Sequence, residues 1–109
     1  MKIIASAQFD KDFKRLAKKY ASLPNDLKEL QDQLLENPIL GISLGNNCYK
    51  IRLSIKSKGK GKSGGARVIT FIQMIEEEIV LITMYDKSET ENVDDKFLKA
   101  IVDRFLEEK

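Results

Sequence analysis

At 109 residues, 42% hydrophobic and 33% charged, the chain has the size and make-up expected of one globular domain, residues 1–109, neither disordered nor built to cross a membrane. It has no histidine and one cysteine, Cys48, which excludes Ser-His and Cys-His nucleophile pairs, imidazole-built zinc sites and a disulfide framework. The net charge of +2 hides a division: between Glu36 and Glu76 there is no acidic residue, and that stretch carries +7 while the rest of the chain carries −5.

The cations of the basic stretch are Lys50, Arg52, Lys56, Lys58, Lys60, Lys62 and Arg67. A compact basic segment on an acidic body is the electrostatic outline of a polyanion-binding face. No apolar run approaches the roughly 20 residues of a membrane helix. The N-terminal run is too short and too soon charged for a signal peptide. A reducing, cytoplasmic setting is therefore expected.

Met1 to Ala5 reads as a short strand on its β-branched pair Ile3-Ile4. From about Ala7 the pattern becomes helical, with Phe9, Phe13, Leu16, Ala17 and Tyr20 at three- and four-residue spacing and Ser6 placed to cap. A second helix starts near Pro24 and puts Leu27, Leu30, Leu34 and Leu35 on one face. Asn37-Pro38 ends it, since the residue before proline is pushed out of the α region. Pro38 to Asn47 reads as a connection rich in glycine and asparagine.

Three strand-like runs follow. In Tyr49–Ser57, Tyr49, Ile51, Leu53 and Ile55 alternate with Lys50, Arg52, Ser54 and Lys56. Ala66–Ile75 is mostly apolar, and Ile79–Tyr85 is a continuous apolar run of the kind a buried central strand shows. Short links imply an antiparallel meander. Val93–Leu106 returns to helical spacing through Phe97, Leu98, Ile101, Val102 and Phe105. The expected fold is α+β, in the order β-α-α-β-β-β-α: a helical hairpin and a C-terminal helix on a small, mainly antiparallel sheet.

Three segments offer chemistry. The loop Ser57–Gly65 alternates glycine and lysine, so exposed amides and ammonium groups can approach a phosphodiester; its bland reading is a solvated hairpin loop. Gly61-Lys62-Ser63 does not complete a phosphate-binding P-loop, because Lys56 stands where that motif needs glycine and the segment joins two strands. The polar face of the Tyr49–Ser57 strand carries Lys50, Arg52 and Lys56, with Arg67 opening the neighbouring strand. Tyr85-Asp86-Lys87-Ser88-Glu89 follows the buried strand and holds the acid–base residue types still available; its bland reading is a polar turn with an ordinary ion pair. Cys48 has no imidazole to activate it, and Glu76-Glu77-Glu78 reads as a solvated turn instead of a metal cluster.

The blocks YKIR, KGKGKSGGARVI and LITMYDKSE, in that order after a helical hairpin, resemble the RelE/ParE superfamily of toxin–antitoxin toxins, in its HigB-like RelE branch. The resemblance implies a toxin that enters the ribosomal A site and cleaves mRNA without metal or other cofactor, the ribose 2′-hydroxyl attacking the adjacent phosphate. It implies that Arg67 contacts the scissile phosphate, that Lys50 and Arg52 form the cationic pair on the preceding strand, and that Lys87 is the basic residue after the last strand. Lys58, Lys60 and Lys62, with Lys56, would grip the mRNA or ribosomal RNA backbone. The family's C-terminal tyrosine has no counterpart, as no tyrosine follows Tyr85. The acid and base are thus left open among Tyr85, Glu89 and a lysine of lowered pKa. The implied partners are the ribosome, mRNA and a cognate antitoxin, a helix-turn-helix DNA-binding protein, with no membrane. Two other readings stand beside this one: a non-catalytic ParE-like gyrase poison, and an RNA-binding module of the same fold.

Overall fold

The structure, a computed structural model, describes residues 1–59, 61–90 and 92–108, with the backbone alone at 62 and 63. Ile3 and Ile4 sit in strand β1 (Lys2–Ala5). Ser6 then turns the chain into helix α1 (Ala7–Lys19): its Oγ accepts the Phe9 amide at 3.0 Å and donates to the Ile82 carbonyl at 2.7 Å, so the cap is also tied to the sheet. Helix α2 (Leu23–Glu36) carries Pro24 in its first turn and stops at Asn37. Leu27, Leu30 and Leu34 are buried as the spacing predicts, but Leu35 is exposed. It lies one step round the helix from Leu34 and falls off the buried stripe.

The connection Pro38–Asn47 holds a strand that the sequence pattern does not announce, β2 (Ile42–Gly45). All four of its residues are exposed, so no alternation marks it. Asn46 and Asn47, at φ 53° and 62°, make the two-residue turn into β3 (Cys48–Leu53), the left-handed pair that such hairpins require. Strands β4 (Ala66–Gln73) and β5 (Glu78–Asp86) complete a sheet of order β1-β5-β4-β3-β2, antiparallel except that β1 runs parallel to β5. The long apolar run is the interior strand it reads as: every residue of β5 is buried. Helix α4 (Asp95–Glu107) closes the chain, its first turn capped by the Asp94 carboxylate.

The two faces of the sheet differ in thickness. On one face α1 and α2 bury Phe9, Leu16, Leu23, Leu30 and Leu34 against Ile51, Val68, Ile72, Leu81 and Met84. Each such side chain contributes roughly 1.5–3 kcal/mol, so this layer carries most of the stability. On the other face α4 buries only Leu98 of its own residues, against Cys48, Ile69, Ile82 and Tyr85. That face is only partly roofed, which leaves it open to a ligand.

An irregularity in β5 decides which residues reach the open face. Ile69 pairs with Thr83 and Thr70 with Leu81, so Ile82 is an extra residue in β5. After the bulge, Tyr85 lies in the same cluster as Ile82 and Ile69, while Met84 packs with the α1–α2 core. β1 ends at Ala5, and beyond it α1 takes the place of a ladder partner: the Asp12 carboxylate accepts from the Thr83 hydroxyl and from the Met84 amide at 3.2 Å.

Candidate active site

The register brings three predicted residues into one row. Arg52 of β3 lies opposite Arg67 of β4, and Arg67 lies opposite Tyr85 of β5. One step along, Lys50 is opposite Ile69, and it shares the open face with Arg52 by the two-residue period of the strand. The Lys50 ammonium approaches Asn92 Oδ1 at 3.4 Å. Two arginines directly opposed on adjacent strands concentrate positive charge, which favours an anion beside them.

Burial differs along the row. Arg52 is exposed, whereas Arg67 and Tyr85 are buried. One guanidinium nitrogen of Arg67 donates to the Ala66 carbonyl at 3.2 Å. The Tyr85 hydroxyl is buried and has no hydrogen-bond partner among the described residues. Burial pushes its pKa above the usual tyrosine value, and the nearby positive charge of Arg67 pulls the other way without cancelling it. At neutral pH this hydroxyl is protonated and is a proton donor.

Lys87 stands just past the end of β5. Its amide donates to the Gly65 carbonyl at 3.1 Å, extending the β4–β5 ladder by one step. Gly65 is required there, since a Cβ would collide with the Leu53 carbonyl. The strand does not continue to Glu89: the Glu89 and Thr90 amides both return to the Asp86 carbonyl, forming a turn. The Glu89 carboxylate pairs with Arg15 at 2.9 Å and Lys19 at 3.3 Å, both on α1. It is therefore directed to the opposite layer from the arginine row, so Glu89 does not share a face with Tyr85.

The basic loop is also more structured than its composition suggests. β3 ends at Leu53, so Lys56 leaves the polar face of the strand and sits instead in a single 3₁₀ turn, Lys56–Lys58. Its ammonium pairs with Glu29 of α2 at 2.8 Å, a hydrogen bond that raises its pKa. The turn is fastened to the start of α2: the Ser57 amide donates to Ser22 Oγ at 2.8 Å, and the Lys56 amide to the buried Asp26 carboxylate at 3.1 Å. A short helical turn, α3 (Gly61–Gly64), leads into β4. Lys60 lies outside the described residues, as does the side chain of Lys62.

Lys58 departs most from expectation. Its side chain is 9% exposed, and its ammonium lies 2.5 Å from Oδ1 of Asp86, a carboxylate with no exposure at all. Asp86 also accepts from the Tyr20 hydroxyl and from the Ser88 amide and hydroxyl, at 2.9 and 2.8 Å. Burial alone would raise this carboxyl's pKa. The Lys58 hydrogen bond, then those of Tyr20 and Ser88, outweigh burial and hold it well below the usual carboxylate range. Lys56 and Lys58 of the basic stretch are thus already paired with carboxylates of the chain.

Two surface cavities flank α4, one against the start of α1 and the other against β2 and β3, and neither is lined by the residues of the row. Burial raises the pKa of Cys48, which keeps this thiol from being an ionised nucleophile. Among the described residues, no three His, Cys, Asp or Glu side chains gather as metal ligands would, and no helix is long and apolar enough to cross a membrane.

A family model described as RelE toxin of the RelE/RelB toxin–antitoxin system matches residues 1–104. Among solved structures, the chain resembles a double arginine-to-alanine mutant of the E. coli toxin RelE in the free state. The TM-score is 0.62 at 16% sequence identity, and the match covers 94% of this chain and 95% of that one. At that identity the likeness is one of fold.

Proposed function

The chain belongs to the RelE family of toxins from toxin–antitoxin systems, and from that premise we propose that it is a ribosome-dependent endoribonuclease that cuts mRNA. As a RelE toxin it has a cognate antitoxin as partner. The observation that carries the proposal is the row Arg52–Arg67–Tyr85, which sets two opposed arginines beside a buried phenol with no hydrogen-bond partner among the described residues, on an open sheet face.

In this reading the scissile phosphate lies against Arg67, with Arg52 and Lys50 along the same face and Lys87 at its end. Cations gathered along one face attract a phosphate and hold it by charge-assisted hydrogen bonds. The RNA supplies its own nucleophile: the 2′-hydroxyl gives up its proton to water as its oxygen bonds to phosphorus, and the 5′-oxygen leaves, giving a 2′,3′-cyclic phosphate and a 5′-hydroxyl. Negative charge builds on the phosphoryl oxygens during this step, and fixed cations in a partly dry site stabilise it. Tyr85, protonated at neutral pH, gives its proton to the departing 5′-oxygen. Glu89, turned toward α1, is not used. Lys60 and Lys62 remain as contacts to the RNA backbone, and the protein acts in the cytoplasm on translating ribosomes.

The test is induction of the protein without its antitoxin, followed by mapping of mRNA ends and measurement of DNA replication. The expected result is arrested translation with mRNA cut on ribosomes. Intact mRNA with blocked replication would contradict the proposal and support a gyrase poison of the same fold.

A further inference from the structure

We infer that Lys58 and Asp86 are positioning residues that lock the basic loop and the Lys87 turn onto the end of the sheet, so that Lys58 serves the site without touching RNA. The inference rests on the nuclease reading above. It begins from a conflict: a lysine in a glycine–lysine loop is expected in solvent, yet this one is among the least exposed cations, its charge spent on a fully buried carboxylate.

The geometry joins three distant segments at one carboxylate. Tyr20 comes from the end of α1, Lys58 from the 3₁₀ turn, and Asp86 and Ser88 from the end of β5 and the turn after it. Asp86 sits between Tyr85 and Lys87, both assigned to the site. Its side chain lies on the α1 face, so the latch grips from behind the sheet while Tyr85 faces the open side. The Lys58 amide is held by the Ile55 carbonyl at 2.9 Å, and the Lys87 amide by Gly65 at 3.1 Å. The same small region thus fixes where the loop leaves β3 and where the turn leaves β5. A buried charge is tolerated only with a partner in good geometry, and that requirement makes the pair a definite spacer.

Sequence separation argues the same way. Lys58 and Asp86 are 28 residues apart, and Tyr20 and Asp86 are 66 apart, so the cluster is not a by-product of one turn. Beside it, the described residues from Leu53 to Gly59 are tied to α2 by the Ser22–Ser57 and Asp26–Lys56 hydrogen bonds and the Lys56–Glu29 ion pair, all at the start of the loop.

The test uses the full chain with mRNA-programmed ribosomes and compares Lys58→Met, Asp86→Asn, the double variant carrying both, and Lys58→Arg. Single-turnover cleavage at saturating ribosomes is expected to fall on the order of 10- to 100-fold in the first three, the loss that a displacement near 1 Å produces. Ribosome affinity and its salt dependence are expected to stay at the wild-type level, and Lys58→Arg to cleave faster than Lys58→Met. If Lys58 instead gripped a phosphate, Lys58→Met would flatten the log–log salt slope by about 0.7. Asp86→Asn, by freeing the ammonium and removing an anion, would then tighten binding. Either result overturns the inference.

The double variant leaves no unpaired buried charge, so it separates loss of the latch from loss of the fold. Wild-type cleavage in that variant also overturns the inference. Amide hydrogen exchange at Lys58, Gly59, Lys87 and Ser88 gives a readout that does not depend on cleavage. Faster exchange in the double variant supports the latch and unchanged protection refutes it. That comparison still decides the matter if the wild-type protein cuts no mRNA, an outcome that would remove the nuclease reading alone.

Discussion

Replacing Tyr85 by phenylalanine should raise stability and lower activity together. The ring is 5% exposed and packs with Ile69, Ile82 and Leu98, contacts that phenylalanine keeps. What is lost is a hydroxyl buried without a partner among the described residues. Leaving such a group unsatisfied costs about 1–3 kcal/mol, so removing it should return an amount of that order. For a domain of this size that is a rise in Tm of about 4–13 °C. If the hydroxyl protonates the leaving 5′-oxygen, the same change should slow cleavage by roughly 10²- to 10⁴-fold. The assays are thermal unfolding by circular dichroism and single-turnover cleavage on programmed ribosomes. An ordinary packing residue would not move the two in opposite directions. A variant that melts no higher and cleaves like wild type would refute the reasoning on both counts.

Arg67→Met keeps the aliphatic stem and removes the charge, and cleavage should fall by about 10²- to 10³-fold at saturating ribosomes, the loss typical of one missing oxyanion donor. Lys60→Ala with Lys62→Ala should lower the salt slope of ribosome binding by about 1.4, two phosphate contacts at roughly 0.7 each. Asp86 sets an acid limit: its carboxyl titrates below the unfolded value, so its contribution to stability is complete above about pH 4 and is lost as pH falls further, toward the folded pKa. Urea unfolding from pH 6 downward should show that loss, with Lys58, Lys19 and Tyr20 facing the group, and Asp86→Asn should flatten the profile. Leu34→Ala, at a fully buried position, should cost about 2–5 kcal/mol in the same assay without altering the ribosome salt slope.

Much of the fold was legible because it rests on local periodicity. The 3.6-residue stripe of Phe9, Leu16, Leu27, Leu30 and Leu34 and the unbroken run of β5 each reflect a face that must be buried. β2 escaped notice because an edge strand with both sides exposed needs no pattern. The arginine row was partly legible, since alternation along β3 and an antiparallel neighbour place Arg52 near Arg67. Tyr85 joins them on the same face only because Ile82 bulges out of β5, and no residue type announces that extra step. The Lys58–Asp86 pair was not legible at all. Lys58 reads as a solvated loop charge and Asp86 as part of a polar turn with an ordinary ion pair, and only the folded chain brings them into one dry cluster with Tyr20. The turn at Asp86, which sends Glu89 toward Arg15, is likewise set by that cluster.

The central claim is cleavage of mRNA on the ribosome by attack of the 2′-hydroxyl. The most direct measurement adds the purified protein to stalled translation complexes carrying end-labelled mRNA and then determines the position and chemistry of both new ends. The account predicts a cut within the A-site codon, a 2′,3′-cyclic phosphate on the upstream fragment, a 5′-hydroxyl on the downstream one, and no cut in free mRNA. Uncut mRNA, or fragments ending in 3′-hydroxyl and 5′-phosphate, would contradict it.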